Sequence, residues 1–235
     1  MNIADKLTTI AENVSKVYDS GYSKAESDFW DGVQDYGNRV YVEGMFSYWG
    51  CEYIRPKYKV VHNGSSSYRI LQMFYRNSKL KKIEKEYFDL SAYTPTTSAS
   101  SGDSAYLVFA QCPELEVIED IGLQGGGYYF TFFSNPKLHT IEVMRCVKNG
   151  QYSGVFNGCY ALENITIEGE IGQSISFSAC SKLTHESLMS IINALCDYSG
   201  DTSGTTYTLT LGSTNLAKLT ADELNSIETK GWQYK

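Results

Sequence analysis

Three histidines, six cysteines and 19 tyrosines are the first side chains in this chain to ask for chemistry. His62, His139 and His185 are far apart in sequence. None has a cysteine or carboxylate at metal-ligand spacing, so they read as surface histidines. No CxxC pair exists, which argues against zinc. Motifs of the GxSxG, HExxH and P-loop kinds are absent as well. Gly125-Gly126-Gly127 suggests a phosphate cradle, but the Lys-Ser/Thr that should follow is missing, and the triplet reads as a flexible turn. No catalytic constellation emerges. The chain is expected to be non-enzymatic, with no catalytic residue, no metal and no cofactor.

Tyrosine is the suggestive excess. Tyr93, Tyr106, Tyr128, Tyr129 and Tyr152 fall in inserted and connecting segments. Tyrosine offers rigid, amphipathic contact area at low entropic cost, so these five form the candidate binding surface. The competing reading is ordinary packing inside the fold.

The elements that must position these side chains are set by a repeat. Phe74, Asn77, Leu80 and Ile83 lie at intervals of three, as do Phe109, Cys112, Leu115, Ile118 and Phe132, Asn135, Leu138, Ile141. The pattern returns at Phe156, Cys159, Leu162, Ile165 and at Phe177, Cys180, Leu183, where Glu186 replaces the isoleucine. A degraded earlier copy runs through Tyr48, Cys51 and Ile54. The leucines are spaced by 35, 23, 24 and 21 residues, three of them within the roughly 20–29 residues of leucine-rich repeats. The long interval contains Ser91 to Ser104, a polar stretch that reads as an inserted loop.

Leu162, Ile165 and Ile167 alternate with polar neighbours, as a half-buried strand requires. Stacked copies would form a parallel strand ladder, with the phenylalanines filling the core from the other side. The slot that takes Asn or Cys needs a small side chain that tolerates burial. Cys112, Cys159 and Cys180 share it, and because asparagine also fits, reduced thiols are expected there.

The ends differ from the repeats. Ile3, Leu7, Ile10, Val14 and Val17 mark a helix over residues 3–18, and Ser23 with Glu26 opens a second one ending near Gly37. These helices either cap the repeats or form a stem that joins several copies through residues 1–20. Toward the other end, Leu188, Ile191, Ile192 and Leu195 mark a helix beginning near Thr184. Tyr207, Leu209 and Leu211 alternate as a strand, and Thr220 with Glu223 forms a capping box. The division is 1–43 helical segment, 44–184 repeats, 185–235 mixed cap.

A net charge of −7 without a basic cluster argues against nucleic acid as a partner. No apolar run reaches the roughly 20 residues of a membrane span. The opening residues lack the basic and apolar regions of a signal peptide, so Sec export is not expected and localisation stays open.

The repeat resembles the BspA-like, or Treponema-type, leucine-rich repeat over about residues 72–184, although the usual proline after the strand is missing. The resemblance implies an α+β leucine-rich-repeat solenoid. The ending Asn215-Leu216-Ala217-Lys218-Leu219 to Lys230-Gly231-Trp232 looks like that of leucine-rich-repeat proteins encoded by phages and prophages of gut Firmicutes. The opening, Ile3 to Leu7 and Phe29-Trp30-Asp31, resembles the same group. This implies a tail-associated or adhesin-like protein that contacts a host-surface protein or glycan. A purely structural virion component and a bacterial surface adhesin are the alternatives.

Overall fold

The computed structural model describes residues 46–56, 59–62, 70–93 and 105–235. The expected helices over 3–18 and 23–37, the stem at 1–20 and most of the insertion, 94–104, lie outside the described residues. The fold is mixed α/β, with parallel sheets and few helices. In chain order its elements are β1 (Val60–Val61), β2 (Lys82–Ile83), β3 (Phe88–Asp89), β4 (Val117–Ile118), β5 (Thr140–Cys146), β6 (Asn164–Gly169) and β7 (Ile175–Ser176). They are followed by α1 (His185–Asn193), β8 (Tyr207–Thr210), α2 (Ser213–Leu216), α3 (Ala221–Thr229) and β9 (Trp232–Tyr234). The sheets run β1-β3, β2-β4-β5-β6 and β7-β8-β9, and all strand pairs in them are parallel.

The four-stranded sheet takes one strand from each of the first four full copies of the motif. Ile83, Ile118, Ile141 and Ile165 stand in register across it, and a bridge from Tyr53 to Lys82 extends it backward. Along β6, Ile165 and Ile167 are buried while Asn164, Thr166 and Glu168 are exposed, so the alternation read from the sequence is present. The motif leucines are all buried.

Opposite the isoleucines, the phenylalanines form a continuous file. Rings of Phe46, Phe74, Phe109, Phe132 and Phe156 lie 5.4–5.6 Å apart and within 10° of parallel. Phe177 closes the file at 4.6 Å. Each ring is stacked on the next repeat's ring, and Phe88 packs edge-on against Phe46 and Phe74. The degraded first copy is corrected by this file: Phe46 takes the aromatic slot, and Tyr48 is 63% exposed. The span from Phe46 to Ile54 is one residue shorter than that from Phe74 to Ile83, which hides the match in sequence.

The last repeat ends differently because its strand is replaced by α1. Hydroxyls of Ser187 and Ser190 accept from Ile165 N and Ile167 N at 3.0 and 2.8 Å, satisfying the donors at the open edge of β6. That substitution accounts for Glu186 standing where an isoleucine is expected. Thr184 caps α1, and Lys230 Nζ donates to the carbonyls of Ile192, Asn193 and Leu195 at its far end. Thr220 and Glu223 form the capping box of α3, and Trp232 is buried.

Candidate interaction surface

Phe74, Phe109, Phe132 and Phe156 each sit in a turn flanked by two left-handed residues, and Phe46 is followed by one. Two positions before it stand Gln72, Leu107, Phe130 and Gly154, with φ of 54°, 56°, 50° and 62°. Two positions after it stand Tyr48, Arg76, Gln111, Ser134 and Gly158, with φ of 62°, 57°, 58°, 62° and 85°. Backbone bonds such as Arg76 N to Ala110 O (3.0 Å) and Gln111 N to Phe133 O (2.8 Å) tie successive turns together. These reversals turn the phenylalanine inward and leave its neighbours facing outward, so the turn edge of the stack displays one short set of side chains per repeat.

That edge is aromatic. Tyr48 packs edge-on to Tyr75 at 5.8 Å, and Phe130 to Phe133 at 5.6 Å. Tyr75, Leu107, Phe130 and Phe133 are half-buried, and Tyr160 is 63% exposed. Of the five tyrosines expected to bind, the structure brings two together here. Leu107 N bonds to Tyr129 O while Gln72 N bonds to Tyr106 O, so half-buried Tyr106 and Tyr129 occupy one column on adjacent repeats.

For the other three tyrosines the expectation is corrected. Tyr93, Tyr128 and Tyr152 are buried, and packing is their work. Tyr128 donates to Arg145 O at 2.8 Å and Tyr152 to Val147 O at 3.1 Å. Their rings stack at 6.3 Å. Burial pushes both phenols upward. The triple glycine also departs from expectation, since Gly125, Gly126 and Gly127 are buried. A Cβ on Gly125 would lie 2.2 Å from Arg145 O, so this segment is held by close packing. His62 is buried too, edge-on to Tyr93 at 5.0 Å, and is not the surface residue expected.

The slot shared by Asn and Cys ties repeats together. Nδ2 of Asn77 and Asn135 donates to Phe46 O and Phe109 O, at 2.6 and 2.9 Å. Sγ of Cys112 and Cys159 makes the equivalent bond to Phe74 O and Phe132 O, at 3.0 and 2.9 Å. Cys112, Cys146, Cys159, Cys180 and Cys196 are unbridged thiols. Burial pushes the thiols of Cys112, Cys146 and Cys159 up to about 12, and that of Cys180 upward likewise. Such thiols are poor nucleophiles and poor metal ligands.

The strand edge presents a lattice of charges instead of aromatics. Arg55 forks onto Glu84 at 2.7 and 2.9 Å. Arg145 forks onto Asp120 at 2.6 and 2.8 Å and reaches Glu168 at 3.1 Å. Lys82 pairs with Glu119 and Lys81 with Glu52. The Arg145 guanidinium holds the Asp120 carboxyl below its ordinary range. Among the described residues no group of three or more metal-ligating side chains comes together, and no helix is long and apolar enough to cross a membrane.

Sequence reading missed Tyr48, Tyr75, Arg76, Gln111, Phe130 and Phe133 on the turn edge. The signal was their fixed offset from each phenylalanine. Gly154 and Gly158, at the same two offsets, mark where the chain turns left-handed. Comparison with known protein families, characterised proteins and solved structures finds no match for this chain.

Proposed function

We propose that this chain is a non-enzymatic recognition protein on a BspA-like leucine-rich-repeat solenoid, and that its turn edge contacts a protein or glycan on a host-cell surface. The solenoid reading is supported by one parallel strand in each of four successive repeats and by the unbroken phenylalanine file. A phage- or prophage-encoded, tail-associated setting is supported by the resemblance at both ends.

The observation that carries the recognition reading is the aromatic turn edge. Tyr48 and Tyr160 are largely exposed, and Tyr75, Phe130 and Phe133 are half-buried along one side of the stack. Exposed aromatic residues in a row are costly to leave in water and are enriched at binding surfaces. The backbone beneath them is fixed by inter-repeat hydrogen bonds, which keeps the contact set preorganised.

The test is binding of fluorescent intact protein to host cells, compared with the double variant Phe130→Ser/Phe133→Ser. The expected result is saturable binding by the intact chain and its loss in the variant. Equal binding by both would move the site elsewhere. No binding by the intact chain would leave a purely structural virion component.

A further inference from the structure

We infer that Tyr48, Tyr75, Arg76 and Gln111 form a subsite for an anionic saccharide, a sugar bearing a carboxylate or phosphate. The inference rests on the recognition reading above and supplies the chemistry of its ligand. Arg55 and Arg145 each fork onto a carboxylate. Arg76 is exposed and meets no carboxylate among the described residues. Its Nε donates to Gln111 Oε1 at 2.6 Å, and its guanidinium lies 5.1 Å from the Tyr75 ring and 6.0 Å from the Tyr48 ring. A guanidinium oriented in this way keeps donors for an oxyanion, which it binds in a fork geometry that lysine lacks.

The rings supply the second half of the recognition. Tyrosine faces accept the C–H faces of sugars while the hydroxyl stays wet, and Tyr48 is the most exposed ring beside Arg76. Tyr48, Arg76 and Gln111 stand in one left-handed column, where Gly158 serves two repeats beyond Gln111. Side chains held in that conformation without glycine point to a use for what they display.

Charge agrees with this assignment. The turn segments 70–79, 105–114, 128–137, 152–161 and 174–182 carry Arg76, Lys79, Lys137 and Lys182 against Glu114 alone, in a chain of net charge −7. The acidic excess therefore lies away from this edge, and an anion approaching Arg76 avoids most of it.

The experiment titrates the full chain with polygalacturonate, poly(ribitol phosphate), neutral dextran and poly(U) RNA. Binding is expected to polygalacturonate, to poly(ribitol phosphate), or to both. It should weaken as salt rises, and whichever polymer binds identifies carboxylate or phosphate as the source. Arg76→Gln and Tyr48→Ala should each lower affinity at least ~10-fold with an unchanged melting temperature. Arg76→Gln binding like the intact chain, equal binding of dextran, poly(U) binding as tightly as the sugars, or no polyanion binding would each overturn the subsite. Host-cell binding that survives Arg76→Gln would overturn it and leave the recognition reading standing. Arg76-dependent polygalacturonate binding without host-cell binding would do the reverse.

Discussion

The backbone N–H of Cys112 donates to Oδ1 of Asn135, one repeat further on, at 2.8 Å. Two residues of the same slot are thereby joined across repeats, and the asparagine does more there than a cysteine can. Asn135 also donates to Phe109 O and Phe132 O, so its whole amide is engaged. Asn77, in the same slot, donates to Phe46 O and Phe74 O, but its Oδ1 is buried without a partner. Asn135→Cys should therefore cost about 1–3 kcal/mol by leaving Cys112 N unsatisfied. Asn77→Cys should be neutral or stabilising. Urea unfolding of the two variants checks this, and equal losses would contradict it.

Gly125 offers a test of rigidity. Its Cβ would meet Arg145 O at 2.2 Å, and the neighbouring atoms are backbone that cannot swing aside. Gly125→Ala should destabilise by about 3 kcal/mol, at the upper end of ordinary overpacking. A near-native melting temperature for this variant would restore the flexible turn read from the sequence.

The repeat was legible because its spacing is short-range: a phenylalanine and an isoleucine nine residues apart remain visible whatever the loops do. The C-terminal caps were legible for the same reason, since Thr220 and Glu223 signal each other locally. The turn edge was not, because only Gly154 and Gly158 betray left-handed positions that Gln72, Arg76 and Gln111 also occupy. Tyrosine was ambiguous by nature. Tyr128 and Tyr129 are neighbours, yet one is buried and its hydroxyl holds Arg145 O while the other is half-exposed. The ion-pair lattice depended on repeat lengths, since Arg55 and Glu84 are 29 residues apart and Asp120 and Arg145 are 25 apart.

Alkaline pH should weaken this fold early. Thiols of Cys112, Cys146 and Cys159 titrate near 12 when folded and at about 8.5 when unfolded. Between those values the unfolded chain has lost protons that the folded one keeps. Their stabilisation is therefore complete below the unfolded value and lost as pH rises through the folded one, at up to ~1.4 kcal/mol per pH unit for each thiol. Melting temperatures should fall steeply above pH 9, and Cys112→Ala/Cys159→Ala should flatten that slope. A slope unchanged by the double variant would assign the alkaline loss elsewhere.

Leu138 is fully buried in the centre of the repeats. Leu138→Asp places an unpaired carboxylate in a core shared by consecutive repeats. Because each repeat is covered by its neighbours, the loss should spread along the stack, and the described region should unfold cooperatively at ordinary temperature. Circular dichroism and the melt decide it. Retention of a native transition would show that the repeat register is wrong.

Phe132 and Phe133 are adjacent in sequence and opposite in consequence. Phe132 stacks between Phe109 and Phe156 at 5.6 Å on either side. Phe133 is half-buried on the turn edge and packs edge-on to Phe130. Phe132→Ala should cost about 3–5 kcal/mol through the cavity it opens between two repeats. Phe133→Ser should cost about 1 kcal/mol, the worth of an exposed ring pair, and lower the melting temperature by about 2–4 °C. The same mild variant should lose host-cell binding at least ~10-fold if the turn edge is the contact surface. A folded Phe133→Ser that binds cells like the intact protein would separate the aromatic edge from recognition.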